Sequence, residues 1–184
     1  MIDTRPSWDT LYMSMAYLMG YRSPDESTKV GSIITTEDHV VVAMGYNGLP
    51  RGMTNSPECQ VRPKKYNFFE HGERNAIYNA ARTGARMDHA HTIYIPWLPC
   101  SDCSRAIIQT GIKEVVVHRQ GQEAFEDSRS EHGWGESQQI ALEMFTECGV
   151  DFRWYEGPIL AGIEGFYSGQ RYRWPTNEFE KIEF

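Results

Sequence analysis

The 184-residue chain has no run of 18 apolar residues, so no part of it reads as a membrane-spanning helix, and no membrane partner is expected. Cysteine is scarce. Four residues over this length are too few for a disulfide framework, and two of them, Cys100 and Cys103, have metal or redox spacing. Positive charge is the minority sign: 18 Lys and Arg stand against 25 Asp and Glu, for a formal net charge of −7. That balance argues against a nucleic-acid partner, because such affinity comes mainly from clustered cations neutralising phosphates. The opening MIDTRPSWDT lacks the charged and apolar regions of a secretory signal, so a cytoplasmic protein with reduced thiols is expected. A small anionic ligand needs only a local group of cations, and RGMTNSPECQVRPKK supplies one in Arg51, Arg62, Lys64 and Lys65.

With 40% hydrophobic and 12% aromatic residues, the chain can bury a full core. One domain is expected over 1–184, with a core of about 8–155 and an aromatic C-terminal extension over 156–184. SWDTLYMSMAYLMGYRS predicts a helix capped by Ser7, with Leu11, Met15, Leu18 and Met19 turned to the core. KVGSIITTEDHVVVAMGYNG predicts a hairpin turning at TEDH, followed by a long functional loop from Leu49 to Glu70. Helices are expected at ERNAIYNAARTG, SDCSRAIIQTG and SQQIALEMFTECG, the first two closed by Gly84 and Gly111. Strands are expected at HTIYIP, KEVVVH and VDFRWYEG, and their alternation with helices implies an α/β layer. HRQGQEAFEDSRSEHGWGES reads as a loop, and the tail from Pro158 to Phe184 as an irregular aromatic wrap or subunit contact.

Chemistry concentrates in two segments. HGE places His71 and Glu73 two positions apart at the mouth of a helix, and PCSDC places Cys100 and Cys103 at the start of another. A Cys-x-x-Cys pair at a helix N-terminus can chelate one ion with both sulfurs, and the positive end of the helix favours thiolate. With His71 the set has three zinc donors, which leaves a coordination position for water and lowers the pKa of that water. Each half alone is weak, since Cys-x-x-Cys also serves structural zinc or redox pairs. Together, with Pro99 before the first cysteine, they form the H-x-E…P-C-x-x-C signature of zinc-dependent nucleobase deaminases.

From about Trp8 to Phe152 the chain resembles the cytidine and deoxycytidylate deaminase family. The resemblance is carried by YRSPDESTKVGSII, GYNGLPRG, HGERNAI, LPCSDCSRAIIQTGIKEVVV and ECGVDF, in that order. It implies a three-layer α/β/α fold around a mixed sheet of about five strands. It also implies zinc on His71, Cys100 and Cys103, and hydrolysis of dCMP to dUMP and ammonia on the way to dTTP. Glu73 would carry the proton to N3 of cytosine and return one to the leaving ammonia. Asn47 matches a substrate-contacting position, Arg22 a basic position near the phosphate, and Lys29 is a further substrate-binding candidate. A homo-oligomer, hexamer or dimer, is implied, with dCTP plus Mg2+ as activator and dTTP as inhibitor.

The chain departs from the family pattern in two places. Gly72 stands where alanine is common, and HRQGQEAFEDSRSEHGWGES has no tyrosine near the expected phosphate position. The alternatives left open are dCTP, a ring-modified dCMP, or a non-catalytic zinc-stapled module. Lys64 and Lys65 are expected as surface charge, Cys59 as an unbound thiol, and Cys148 in the core; His89, His91 and His132 have no partner set.

Overall fold

Ser7 opens the first helix as its residue type predicts: its Oγ accepts the Thr10 amide at 3.1 Å at the head of α1 (Trp8–Gly20). The computed structural model describes residues 5–124, 134–160, 162–167, 170–174 and 180–182. The buried face of α1 is Tyr12, Met13, Ala16 and Tyr17, while Leu18 is 52% exposed and Leu11 and Met15 are half-buried. This rotates the expected stripe. The two tyrosines bury large rings and still satisfy their hydroxyls, Tyr12 on the His39 carbonyl at 2.5 Å and Tyr17 on His118 Nδ1 at 2.9 Å.

Five strands follow: β1 (Gly31–Thr35), β2 (Val41–Tyr46), β3 (Thr92–Ile95), β4 (Glu114–His118) and β5 (Asp151–Tyr155), in the spatial order β2-β1-β3-β4-β5. β1 is antiparallel to β2 and β3, whereas β3, β4 and β5 are mutually parallel, which is the expected mixed sheet. Alternation at period two divides its side chains between two cores. Ile33, Tyr94 and Val116 pack with α1, and Ile34, Ile93, Val115 and Val117 pack in the cluster that includes Ala76, Ile107 and Phe145. These last three belong to α2 (Gly72–Thr83), α3 (Ser101–Gln109) and α5 (Trp134–Cys148). Cover on both faces explains why these strands read as continuous apolar runs.

One close approach positions the site. A Cβ on Gly45 of β2 would lie 2.3 Å from the Ala76 amide nitrogen and 2.4 Å from the Gly72 carbonyl oxygen. Glycine there lets the α2 backbone lie directly on β2, and Ser32 Oγ donates to the Gly72 carbonyl at 2.8 Å.

Several expectations need correction. The segment after β4 was expected to be loop, but it begins with a short helix, α4 (Arg119–Glu123), held by Trp97 Nε1 donating to the Gly121 carbonyl at 2.7 Å and by the Leu98 amide on Gln122 Oε1 at 3.0 Å. Residues 125–133, including His132, lie outside the described residues. The tail is ordered into β6 (Ile163–Tyr167), β7 (Gln170–Trp174) and β8 (Glu180–Ile182), an antiparallel sheet in that order. It is tied to the rest through Ile159 and Ile163, which join the α1 cluster, and through the Lys29 amide donating to the Phe166 carbonyl at 3.0 Å. Cys148 is exposed at the last residue of α5, where the core contact passes to Val150. Lys65 is 3% exposed, because a carboxylate meets it inside.

Candidate active site

Two helix N-termini converge on one spot. His71 is the N-cap residue of α2 and Cys100 that of α3, both in extended backbone, and Cys103 follows one turn into α3. A single atom, His71 Nδ1, lies 3.5 Å from Cys100 Sγ and 3.4 Å from Cys103 Sγ, and the three donor atoms are all within 4.8 Å of one another. Zinc at about 2.0 Å from nitrogen and about 2.3 Å from sulfur, with tetrahedral angles, places the ligand atoms about 3.5 Å apart. The donors therefore fit zinc in both type and spacing.

The electrostatics suit a cation. A hydrogen bond from the Cys103 thiol pulls Cys100 down to about 4, against desolvation and with help from His71, so Cys100 is a thiolate at neutral pH. The same sulfur–sulfur contact, with burial, pushes the second thiol, Cys103, up. Burial lowers His71, but the Cys100 sulfur and the Glu73 carboxylate outweigh it and leave the imidazole above its ordinary value. Glu73 is 5% exposed; burial drives its carboxyl above the usual range, while His71 pulls the other way. Arg74, on the next residue of α2, pairs with Glu70 and lies 3.5 Å from Asp102, which ties α2 to the α3 start.

His71, Glu73 and Cys100 form one wall of a cavity. Asn47 lines it as well, with Oδ1 accepting the Val30 amide at 2.8 Å and Nδ2 donating to the Thr28 carbonyl at 2.8 Å. Arg22 and Lys29 do not line it: Arg22 is exposed, and Lys29 Nζ donates to the Ser23 carbonyl at 2.5 Å and lies 5.5 Å over the Phe166 ring. The cavity gains residues that sequence reasoning missed. Asp25 and Lys65 form a buried ion pair at 2.9 Å on its wall. Trp134 sits 5.6 Å from the His71 ring and 5.8 Å edge-on from Tyr66, and Tyr167 of β6 packs 5.5 Å from Trp97.

Comparison with known proteins agrees with this geometry. The family model of the cytidine and deoxycytidylate deaminase zinc-binding region matches residues 6–119. An Aliivibrio fischeri protein named as an uncharacterized deaminase in the luxG 3′ region is 37% identical over 153 residues, 83% of this chain and 97% of its own. The Homo sapiens deoxycytidylate deaminase is 31% identical over 157 residues, 82% of this chain and 81% of its own. Among solved structures, the cyanophage S-TIM5 dCMP deaminase in complex with dCMP and dUMP superposes with a TM-score of 0.61 at 24% identity, covering 83% of this chain and all of that one. The matched family region contains all three donors and Glu73, so the chain belongs to the cytidine and deoxycytidylate deaminase family.

Proposed function

We propose that the chain hydrolyses dCMP to dUMP and ammonia, on the route to dTTP. The observation that carries this reading is a buried carboxyl, Glu73, beside a three-donor zinc set on the wall of a cavity. Three protein donors are the number a catalytic zinc uses, and zinc bound by them supplies Lewis-acid activation of water. The chain's own part is proton handling and placement. Glu73 accepts one proton of the attacking water and passes it to N3 of the cytosine ring, then takes the proton of the resulting C4 hydroxyl and delivers it to the C4 amino group, which leaves as ammonia while the C4 carbonyl forms. Its raised pKa suits both halves of that transfer at neutral pH. Asn47, fixed by its own backbone contacts, presents a rigid edge to the nucleotide.

Similarity to the human deoxycytidylate deaminase over most of both chains supports the monophosphate as substrate. A zinc-stapled regulatory module would need a fourth ligand, and among the described residues the donor cluster holds three side chains, with Glu73 outside it. The wider reading adds a homo-oligomer, hexamer or dimer, working in the cytoplasm and controlled by dCTP with Mg2+ and by dTTP. It rests on the family resemblance. No helix among the described residues is long and apolar enough to cross a membrane.

The test is a panel of deoxycytidine, CMP, dCMP, dCTP, 5-methyl-dCMP and a cytosine-containing DNA strand, each followed for deaminated product with and without dCTP. Turnover of dCMP above the rest supports the reading. Preference for dCTP or 5-methyl-dCMP would move the activity to those substrates, and no turnover of any of them would end it.

A further inference from the structure

A pyrimidine ring has two flat faces, and a site that holds one at a fixed depth needs a flat wall as well as polar groups. Trp134 supplies a flat wall beside the donor set. It lines the cavity, and its ring lies 5.6 Å from the His71 ring, centroid to centroid. A ring whose reacting carbon sits beside His71, Cys100 and Cys103 therefore lies within reach of the indole.

Trp134 is half-buried at the first residue of α5, and it joins none of the three hydrophobic core clusters among the described residues. Core packing does not account for it. Two sets of contacts nevertheless fix where it stands. On one side, the first turn of α5 is docked on the turn that carries Cys100: Ser137 Oγ accepts the Ser101 amide at 2.9 Å, and Gln138 Nε2 donates to the Leu98 carbonyl at 3.1 Å. The Leu98 amide donates to Gln122 Oε1 at 3.0 Å, and Gln122 Nε2 donates to Gln138 Oε1 at 3.3 Å. Two side-chain amides and both backbone groups of Leu98 thus close a ring of hydrogen bonds. Pro99 and Cys100 are held on both flanks, and α5 with them. On the other side, Tyr66 stands edge-on to the indole at 5.8 Å. Tyr66 follows Lys65, whose ammonium donates to both Asp25 carboxylate oxygens at 2.9 Å and to Ser27 Oγ at 2.6 Å, which pins the loop to the segment before β1.

We propose that Trp134 packs its indole against the cytosine ring, carried by an α5 turn that is locked to the Cys100 turn. The inference rests on the dCMP reading and adds to it the wall that holds the base. Trp134 lies beyond residues 6–119, the region matched by the family model, so this wall belongs to the chain outside the shared zinc-binding region. It is a specificity residue and takes no part in proton transfer.

The experiment compares the zinc-loaded full chain with Trp134→Ala, Trp134→Leu and Trp134→Phe and, as a control, Trp8→Ala, which changes an exposed tryptophan stacked on His39. For each, kcat and KM for dCMP, calorimetric binding of dUMP, zinc per chain and a thermal midpoint are measured. Loss of an aromatic contact to a base predicts a rise in KM of about 5- to 150-fold in Trp134→Ala, with dUMP binding weakened in parallel and kcat within about 3-fold. Trp134→Phe keeps a ring and stays closer to the wild type than Trp134→Leu does. Zinc content and thermal midpoint stay level, and Trp8→Ala matches the wild type in KM. A Trp134→Ala enzyme with KM and dUMP binding within about 3-fold of the wild type overturns the proposal while leaving the dCMP reading intact. Recovery by leucine as complete as by phenylalanine also overturns it, because a flat ring is then not what the base meets. Zinc lost from Trp134→Ala overturns it too, since the indole would then be a support for His71. If the wild type neither deaminates dCMP nor binds dUMP, the dCMP reading fails and takes this inference with it.

Discussion

A lysine ammonium withdrawn from water persists only with an anion against it, and Lys65 has Asp25 at 2.9 Å with both side chains almost fully buried. Removing one partner strands the other charge. Lys65→Met is expected to cost about 3–5 kcal/mol, and Lys65→Met with Asp25→Asn less than the sum of the single changes. Urea unfolding of the four proteins of the cycle checks this; a single-variant cost under about 1 kcal/mol would mean that the pair is open to water. The same residue shows the limit of reading charge from sequence. Lys64 and Lys65 are adjacent and chemically alike, yet one is exposed and the other buried, because Asp25 lies 40 positions away in the chain. His71, Glu73, Cys100 and Cys103 were legible because their chemistry is fixed by short spacings at helix starts. Asp25, Lys65, Trp134 and Tyr167 reach the cavity only through tertiary placement, and no local pattern announces them.

At the scale of elements, the site depends on how closely α2 lies on β2. Gly45→Ala would set a methyl group 2.3 Å from the Ala76 nitrogen, and since both nearest atoms are backbone, the helix itself must move. Overpacking of this kind costs about 1–3 kcal/mol. Because α2 carries His71 and Glu73, the variant should also lose zinc affinity and dCMP turnover; unchanged zinc affinity in a chelator competition would show that the α2 start is held from elsewhere. The helices and strands that alternate through the chain were readable from period and caps, as Ser7 and Gly84 show. The short helix α4 and the β6–β7 hairpin of the tail were missed for physical reasons. α4 is five residues, too short to show a helical period and interrupted by Gly121, and it is held by Trp97 and Leu98, contacts that a local reading does not contain. β6 and β7 pair with two residues between them, at SG, a hairpin signal obscured by the aromatic and charged residues around it. The buried face of α1 differs from the Leu and Met stripe because Tyr12 and Tyr17 find hydroxyl partners at His39 and His118, which lets their large rings go inside.

Across the whole molecule, His118 joins α1, β4 and the start of the C-terminal segment. It is 1% exposed, bonded to Tyr17, and donates a hydrogen bond to the Gly157 backbone. Burial pulls its pKa from 6.5 down to about 4, so between those values the unfolded chain binds a proton that the folded one refuses. Its contribution to stability is complete above about pH 6.5 and is lost as pH falls toward 4, about 3 kcal/mol over the window. His118→Gln should remove that share of the pH slope. Identical slopes in denaturant unfolding from pH 7 to 4.5 would contradict the assignment.

The central claim, deamination of dCMP with Glu73 as proton carrier beside a His71, Cys100 and Cys103 zinc set, is tested most directly by one paired measurement. Zinc per chain and dUMP formed from dCMP are determined for the wild type and for Glu73→Ala. The account predicts one zinc per chain in both proteins, with dUMP formed by the wild type alone. Deamination that survives Glu73→Ala, or zinc that leaves with the glutamate, would contradict it.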